Sequence, residues 1–177
     1  MPQKMPHQKP DKKFQKKPQG QKPKPYKTFP ATAPKGPRAK VIQEKSCGIV
    51  LFREEDDQRY YLLLHYPGGH WDFGKGHVED VDQDEETTAR REMTEETGIG
   101  KITFIKGYRQ KMDYYYRRER KLYHKDVIYF LGKTPESKVK LSHEHQGYAW
   151  LTYEDALKQL TFLNAKTLLK RAEKVFA

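Results

Sequence analysis

The excess of positive over negative charge in this 177-residue chain comes entirely from its first quarter. The formal net charge is +11, and residues 1–45 alone hold thirteen Lys and Arg against two acidic residues, so the remainder is neutral. Nine of the eleven prolines also precede Arg38. A segment with so little apolar surface cannot offset the entropy of ordering its backbone. We therefore expect residues 1–44 to be a disordered Lys/Pro-rich tail and residues 45–177 to form one globular domain.

The tail admits two interpretations. Its clustered lysines, with Phe14, Tyr26 and Phe29 between them, could hold RNA non-specifically by neutralising phosphates and stacking on bases. Equally, it could be a solvated segment that keeps the protein soluble, because lysine runs alone are weak evidence of a specific partner. The sequence leaves both open.

Several classes of protein are excluded by composition. The longest apolar stretch, residues 47–52, is far shorter than the roughly 20 residues that span a bilayer. The tail has neither the apolar core of a secretory signal nor the Arg- and Ser-rich character of a mitochondrial presequence. We therefore expect a cytoplasmic protein with no membrane contact, and a monomer. Cys47 is the single cysteine, which excludes an internal disulfide and a multi-cysteine zinc site.

The pattern after Ser46 indicates a hairpin-rich sheet with helices. Apolar runs separated by polar turns predict strands at 47–52, 60–65, 102–108 and 127–131. Acidic residues at its start and Gly98 at its end predict a helix over 84–97. Two later helices are expected at 153–160, capped by Thr152, and at 162–176. The last should turn Leu163, Leu168, Leu169, Ala172 and either Val175 or Phe176 towards the core. The fold class is α+β or mixed α/β.

The helix at 84–97 carries an unusual concentration of carboxylates. Glu92 and Glu96 are four residues apart on one face, Glu95 lies three after Glu92, and like charges at these spacings destabilise a helix. A compensating cation is therefore expected, and Mg²⁺, with Mn²⁺ as the alternative, suits carboxylates that share the ion with substrate phosphates. Arg91 can pair with Glu95 and orient it. A solvated acidic face remains the competing interpretation.

The loop before this helix brackets Lys75 with Gly74 and Gly76, so its backbone can approach a ligand closely. The segment from Gly76 to Ile99 resembles the Nudix box. The residues that carry this resemblance are Gly76, Arg91, Glu92, Glu95, Glu96 and Gly98. The chain from about residue 46 to 176 resembles the asymmetric bis(5'-nucleosyl)-tetraphosphatases of the Nudix superfamily. Three segments carry this resemblance. They are Gly-Lys-Gly-His-Val-Glu at 74–79, Lys-Asp-Val-Ile-Tyr-Phe-Leu at 125–131, and Leu-Ser-His-Glu-His-Gln-Gly-Tyr-Ala-Trp-Leu at 141–151.

The resemblance implies an α/β/α sandwich around a mixed sheet, with the acidic helix packed on it. It also implies that Glu92, Glu95 and Glu96 hold divalent ions and help to activate water, with Glu144 near the same metals as ligand or base. The implied catalytic residues are therefore Glu95, Glu96 and Glu144, with Arg91 as the orienting residue. One extra residue follows Gly76, so the first glutamate of the box falls on Asp82 or Gln83. We expect a local bulge and weaker order in this loop.

Three tyrosines at 114–116 are followed by the basic residues Arg117, Arg118, Arg120 and Lys121, a combination that suits nucleobases and polyphosphates. The resemblance implies that an adenine stacks between Tyr148 and one of Tyr114 or Tyr115. It implies phosphate contacts from His70, Lys75 and Lys125. The competing interpretation is an exposed hairpin whose alternate rings pack on the sheet.

The reaction implied by the resemblance is hydrolysis of diadenosine tetraphosphate to ATP and AMP, with no covalent intermediate. The residues by themselves support a broader statement, the metal-dependent hydrolysis of a nucleoside diphosphate linked to another group. Two alternatives remain. One is an RNA 5'-pyrophosphohydrolase that uses the basic tail, and the other is a non-catalytic module that binds a nucleotide.

Overall fold

The computed structural model describes residues 40–177, so residues 1–39 of the expected tail lie outside the described part. The strands are β1 (Val41–Glu55), β2 (Gln58–His65), β3 (Trp71–Asp72), β4 (Lys75–His77), β5 (Thr103–Arg118), β6 (Lys121–Lys133) and β7 (Gly147–Leu151). The helices are α1 (Glu85–Thr97), α2 (Tyr153–Gln159) and α3 (Leu163–Glu173), followed by a 3₁₀ turn (Lys174–Phe176). β1 begins four residues before the domain boundary expected from composition.

One mixed sheet joins all seven strands in the order β3-β2-β1-β6-β5, with β4 paired to β1 and β7 to β2. The central pair, β1 and β6, is parallel, and Ser46 lies opposite Val127. The other pairs are antiparallel, including the expected hairpin in which Phe52 of β1 lies opposite Tyr61 of β2. A sheet of mixed direction confirms the expected α+β class.

Helices cover both faces of this sheet. Val50 and Phe52 of β1 join the apolar cluster that includes Leu168 of α3. The residues between them face the other way, so Ile49 and Leu51 join the cluster that includes Met93 of α1. Burying side chains of this size contributes roughly 1.5–3 kcal/mol each. The result is the α/β/α sandwich that the resemblance implied.

Helix α1 begins and ends where its sequence signals predict. The Asp84 carboxylate accepts a hydrogen bond from the Thr87 backbone N–H at 2.7 Å, which satisfies a donor of the first turn. Gly98 closes the helix in the left-handed conformation, with φ of 73°, and its N–H donates to the Thr94 carbonyl. These two caps fix the length of the helix that carries the glutamates.

Two features of the fold differ from the expectations. Leu163 is 77% exposed because it is the first residue of α3 and points away from the sheet, whereas Leu168, Leu169 and Ala172 are buried as expected. The strands predicted at 102–108 and 127–131 are parts of β5 and β6, which continue to Arg118 and Lys121. The extension of β5 contains three consecutive tyrosines at 114–116 followed by two arginines, so it lacks the regular alternation that predicts a strand.

Two further findings concern membrane-spanning helices and the single cysteine. Within residues 40–177, none of the helices has the length and apolar character needed to cross a membrane. The Cys47 thiol is buried in β1, and burial raises its pKa to about 11. It is therefore a core side chain.

Candidate active site

A cleft of about 410 Å³ opens where α1, β4 and β6 meet. It is lined by Tyr66, Lys75, Gly76, His77, Glu79, Glu92, Glu95, Glu96, Lys125 and Glu144. The four glutamates expected to hold metal and both lysines expected to bind phosphate are therefore brought together, although they come from four separate parts of the chain.

Helix α1 presents its three glutamates to the cleft in different environments. Glu96 is only 5% exposed, and its carboxylate accepts the backbone N–H of Lys75 at 3.1 Å. Glu92 is partly buried, and burial raises its pKa, with Glu96 and Glu95 adding to the rise. Glu95 is largely exposed. The helix thus offers both fixed and free carboxylate oxygens within one turn.

Two glycines make room for these carboxylates. A Cβ atom on Gly74 would stand 2.6 Å from Oε2 of Glu96. A Cβ atom on Gly76 would overlap the carboxylate of Glu92. The Gly-Lys-Gly segment therefore lets the backbone of β4 lie directly against the acidic helix.

Arg91 lies behind the glutamates. Its Nη1 atom donates to Glu92 at 2.9 Å and to Glu95 at 3.3 Å, and its Nη2 atom donates to the His77 carbonyl at 2.8 Å. Arg91 does not line the cleft in the described part of the chain. Arg91 therefore contacts two cleft glutamates without lining the cleft itself, and its orienting role in the reaction stays a prediction.

The loop with the extra residue is held by Asp82. Its carboxylate accepts hydrogen bonds from Arg91, from the Thr88 hydroxyl at 2.9 Å and from the backbone N–H of Glu79 at 2.9 Å. Asp82, not Gln83, thus stands where the first acid of the box belongs. The shorter aspartate and the extra residue together still reach Arg91, and the expected weaker order of this loop stays a prediction.

The basic residues of the cleft are also fixed by contacts. Nζ of Lys75 donates to Asp72 at 3.0 Å and to the Tyr66 hydroxyl at 3.2 Å. Burial lowers the pKa of Lys125, and the neighbouring Lys75 lowers it further. Nζ of Lys125 lies 3.5 Å from Nε2 of His77. The cleft therefore concentrates positive charge against the carboxylates of α1.

Glu144 reaches the cleft from the turn before β7. The turn is tied to α1 by the Ser142 N–H, which donates to the Glu96 carbonyl at 2.9 Å. His145 is buried, and its Nε2 lies 3.3 Å from Oε1 of Glu96. Its ring also packs edge-on against Tyr66 at 4.5 Å. The turn thus brings a free carboxylate, that of Glu144, to the fixed one of Glu96.

The aromatic residues expected at the substrate separate into two groups. Tyr114 lies directly opposite Lys125 on the sheet face covered by α2 and α3. Tyr115 points to the other face and stacks on His124 at 4.4 Å. Burial, followed by the charge of Asp72, raises the pKa of Tyr114 to about 12. Only Tyr114 stands on the side of Lys125.

Two other expected substrate residues lie beside the cleft and do not line it in the described residues. Tyr148 is exposed on β7. His70 stacks on Tyr66 at a centroid distance of 4.7 Å. Sequence reasoning missed Tyr66, His77 and Glu79 as cleft residues. The Gly-Lys-Gly-His-Val-Glu segment already held the signal for His77 and Glu79, whereas Tyr66 had none.

The donor set suits a hard cation. Across residues 40–177, no three His, Cys, Asp or Glu side chains converge into a closed metal site. Mg²⁺ rarely needs one, since it keeps several waters and takes one or two carboxylates together with substrate phosphates. The cleft offers carboxylate oxygens and no thiolate, and it also contains Lys75 and Lys125. Such a set of ligands fits Mg²⁺ or Mn²⁺ better than a softer metal.

Comparisons with known proteins agree with this architecture. Residues 43–171 match the family model described as the NUDIX domain. The asymmetrical bis(5'-nucleosyl)-tetraphosphatase of Mus musculus is 36% identical over 138 residues, covering 71% of this chain and 90% of its own. The Caenorhabditis elegans protein of that name is 37% identical over 133 residues, covering 72% and 92%. The crystal structure of a C. elegans Ap4A hydrolase binary complex superposes with a TM-score of 0.64 at 35% identity, over 75% of this chain and 96% of that one.

Proposed function

The chain belongs to the Nudix family of hydrolases and is a pyrophosphohydrolase, and from this premise we propose that it cleaves dinucleoside polyphosphates, diadenosine tetraphosphate giving ATP and AMP. The observation that carries the proposal is the placement of Glu92, Glu96 and Glu144 in one cleft with Lys75 and Lys125. A polyphosphate chain presents closely spaced anionic phosphorus centres, so an enzyme must neutralise them before water can attack. Relatives that carry the tetraphosphatase name, matched over at least 90% of their length, support this choice of substrate.

We assign the divalent ion to carboxylates of the cleft. Glu92, Glu95, Glu96 and Glu144 would hold Mg²⁺ or Mn²⁺. The bound ion would neutralise phosphate charge and make a water more acidic. Arg91 keeps Glu92 and Glu95 in position through its hydrogen bonds to both. The backbone N–H of Lys75 does the same for Glu96.

The remaining roles follow from position. Lys75 and Lys125 bind the oxygens of the polyphosphate chain. Tyr114 and Tyr148 provide aromatic faces for an adenine. His70 stacks on Tyr66, whose hydroxyl accepts a hydrogen bond from Lys75, so we assign His70 to the same phosphates. These residues orient the substrate and take no part in bond making.

The chemical step transfers no group to the protein. The oxygen of a water molecule bonds to a phosphorus atom, and the anhydride P–O bond breaks with its electron pair leaving on the departing nucleotide. The proton of the water passes to a carboxylate. Glu95 and Glu144 are the two candidates for the acceptor, because both carboxylates are exposed in the cleft.

Product analysis tests this proposal directly. The protein is incubated with diadenosine tetraphosphate and Mg²⁺ in ¹⁸O-labelled water, and in parallel with a 5'-triphosphorylated RNA oligomer. ATP and AMP in equal amounts, abolished by EDTA, are the expected result, and the product that carries ¹⁸O identifies the phosphorus that was attacked.

Two other outcomes would contradict the proposal in different ways. Pyrophosphate released from RNA, with the dinucleotide intact, would keep the Nudix chemistry and change the substrate class. A variant lacking residues 1–39, which leaves β1 complete, would then show whether the basic tail holds the RNA. No product from either substrate would indicate a nucleotide-binding module.

A further inference from the structure

The hairpin of β5 and β6 extends well past the cleft. Lys125, which lines the cleft, pairs with Tyr114, and the ladder continues from there to Arg118 opposite Lys121. We call residues 114–125 the hairpin arm. At roughly 3.3 Å per residue, the arm reaches more than 10 Å beyond Lys125. The start of β1 pairs along it from Val41 onward, which supports it as part of the sheet.

One face of the hairpin arm continues the surface of the cleft. Because side chains alternate along a strand, Tyr116, Arg118 and Tyr123 share the face of Tyr114 and Lys125. Tyr116 and Tyr123 stack at 5.0 Å, and the Arg118 guanidinium lies over the Tyr123 ring at 4.9 Å. The Arg118 side chain is 52% exposed. A flat cation backed by two rings is a surface on which a nucleobase can stack.

The partly buried carboxylate of Glu44 connects this face to the cleft. It accepts a hydrogen bond from the Tyr116 hydroxyl at 2.6 Å and lies 3.3 Å from Nε2 of His77. Its other oxygen lies 3.9 Å from Arg118. One carboxylate therefore positions a cleft residue, His77, and an arm residue, Arg118, side by side.

The charge of the arm exceeds what a dinucleotide needs. Residues 117–121 hold four cations and one acid, whereas the rest of residues 46–177 holds 18 Lys and Arg against 21 acidic residues. A dinucleoside polyphosphate ends in a ribose and a base, so it has no phosphate for cations beyond its second nucleoside. A nucleic acid strand has one phosphate for every further nucleotide.

We propose that this face of the hairpin arm binds a single-stranded polynucleotide whose 5'-phosphorylated end lies in the cleft. The inference rests on the proposed function for the cleft itself. Arg118 stacks on a base or pairs with the next phosphate, and the cations at the tip follow the backbone. Glu44 is a positioning residue that keeps His77 and Arg118 aligned.

The test measures binding of RNA to the full chain in EDTA, so that nothing is hydrolysed. The probes are 5'-triphosphorylated oligomers of two, four and eight nucleotides with a 3' fluorophore, followed by anisotropy at several salt concentrations. The variants are Arg118→Ala, Arg118→Lys and, as the matched control, Arg117→Ala. Arg117 carries the same charge one residue away and faces the opposite side of the arm. Any contact made by the basic tail is common to all three proteins.

Wild-type affinity is expected to rise with oligomer length. Arg118→Ala should weaken binding of the longer oligomers roughly tenfold. It should also reduce the slope of log affinity against log salt by about 0.7. Arg118→Lys should restore the slope and only part of the affinity, because lysine keeps the charge and loses the stacking plane.

The proposal is overturned if Arg118→Ala and Arg117→Ala weaken binding equally, or if affinity does not depend on length. Thermal unfolding of each variant shows whether a loss reflects the fold. Absence of diadenosine tetraphosphate hydrolysis by the wild type would instead contradict the proposed function, and the binding data would stand independently.

Discussion

The two carboxylate oxygens of Asp82 accept hydrogen bonds from Nε and Nη2 of Arg91, at 3.0 and 2.9 Å. The Asp82 side chain is only 2% exposed. This bidentate pair ties the loop after β4 to helix α1, and Arg91 in turn holds Glu92 and Glu95. The positions of these two cleft carboxylates therefore depend on a residue that does not line the cleft.

Asp82→Ala should destabilise the domain and impair turnover together. The substitution removes two charge-assisted hydrogen bonds of Arg91, which keeps those to Glu92 and Glu95, so we expect a cost of about 1.5–3 kcal/mol. Urea unfolding measures that cost, and steady-state kinetics should show kcat falling more than KM changes. Asp80→Ala, an exposed acid of the same loop, is the control. Equal effects of the two substitutions would rule out a special role for Asp82.

The same pair predicts sensitivity to acid. The hydrogen bonds from Arg91 hold the pKa of Asp82 well below its usual range. Its contribution to stability is therefore complete above the unfolded pKa of about 3.9 and is lost as the pH falls towards the folded pKa. Urea unfolding between pH 5 and 2.5 should show a steeper decline for the wild type than for Asp82→Asn. Parallel declines would mean that Arg91 does not lower this pKa.

Gly76→Ala should reduce activity with little loss of stability. The added Cβ would overlap the carboxylate of Glu92, which is the end of a flexible side chain and can move aside. Misplacing a reacting group by about 1 Å can cost about a hundredfold in rate. The measurements are kcat and the midpoint of thermal unfolding.

Gly100→Ala is the matched control for this substitution, because the nearest atom to its Cβ, Oγ1 of Thr94, would be 3.9 Å away. If Gly76→Ala kept normal turnover, Glu92 would not need the position it has in the structure.

Glu96→Gln should lower turnover by about 10²- to 10³-fold. The amide oxygen can still accept the Lys75 N–H, so the fold should survive while the negative charge is lost. Glu86→Gln, an exposed acid on the first turn of α1, is the control. Unchanged turnover of Glu96→Gln, measured by release of ATP, would remove Glu96 from the metal site.

The sequence predicted those parts of the molecule that short-range signals determine. Asp84 and Gly98 fixed the ends of α1, and the spacing of Glu92, Glu95 and Glu96 identified the acidic wall of the cleft. The length of β5 could not be read, because the three consecutive tyrosines at 114–116 and the arginines after them lack the alternation typical of a strand and become a strand only by pairing with β6. The outcome depends on the register of that pairing, and a shift of one residue would turn every side chain to the other face.

The dependence on strand register also explains why the sequence could not show which tyrosine faces the side of Lys125. Tyr114 and Tyr115 are chemically identical, so composition could not distinguish them. Register decides that Tyr114 stands opposite Lys125 and that Tyr115 stacks on His124. Asp82 and Gln83 could not be separated either, since the choice depends on which one reaches Arg91 in three dimensions.

The register gives a direct test of which tyrosine meets the substrate. Tyr114→Leu should raise KM for diadenosine tetraphosphate about tenfold, because stacking on a base contributes about 1–3 kcal/mol. Leucine keeps an apolar side chain against the α2 and α3 cluster, so kcat and thermal stability should change much less. Tyr114→Phe should preserve KM, since it retains the ring. Tyr115→Leu, on the opposite face, should leave both kinetic parameters within about twofold. A larger rise in KM for Tyr115→Leu than for Tyr114→Leu would show that the adenine approaches from the other side of the sheet.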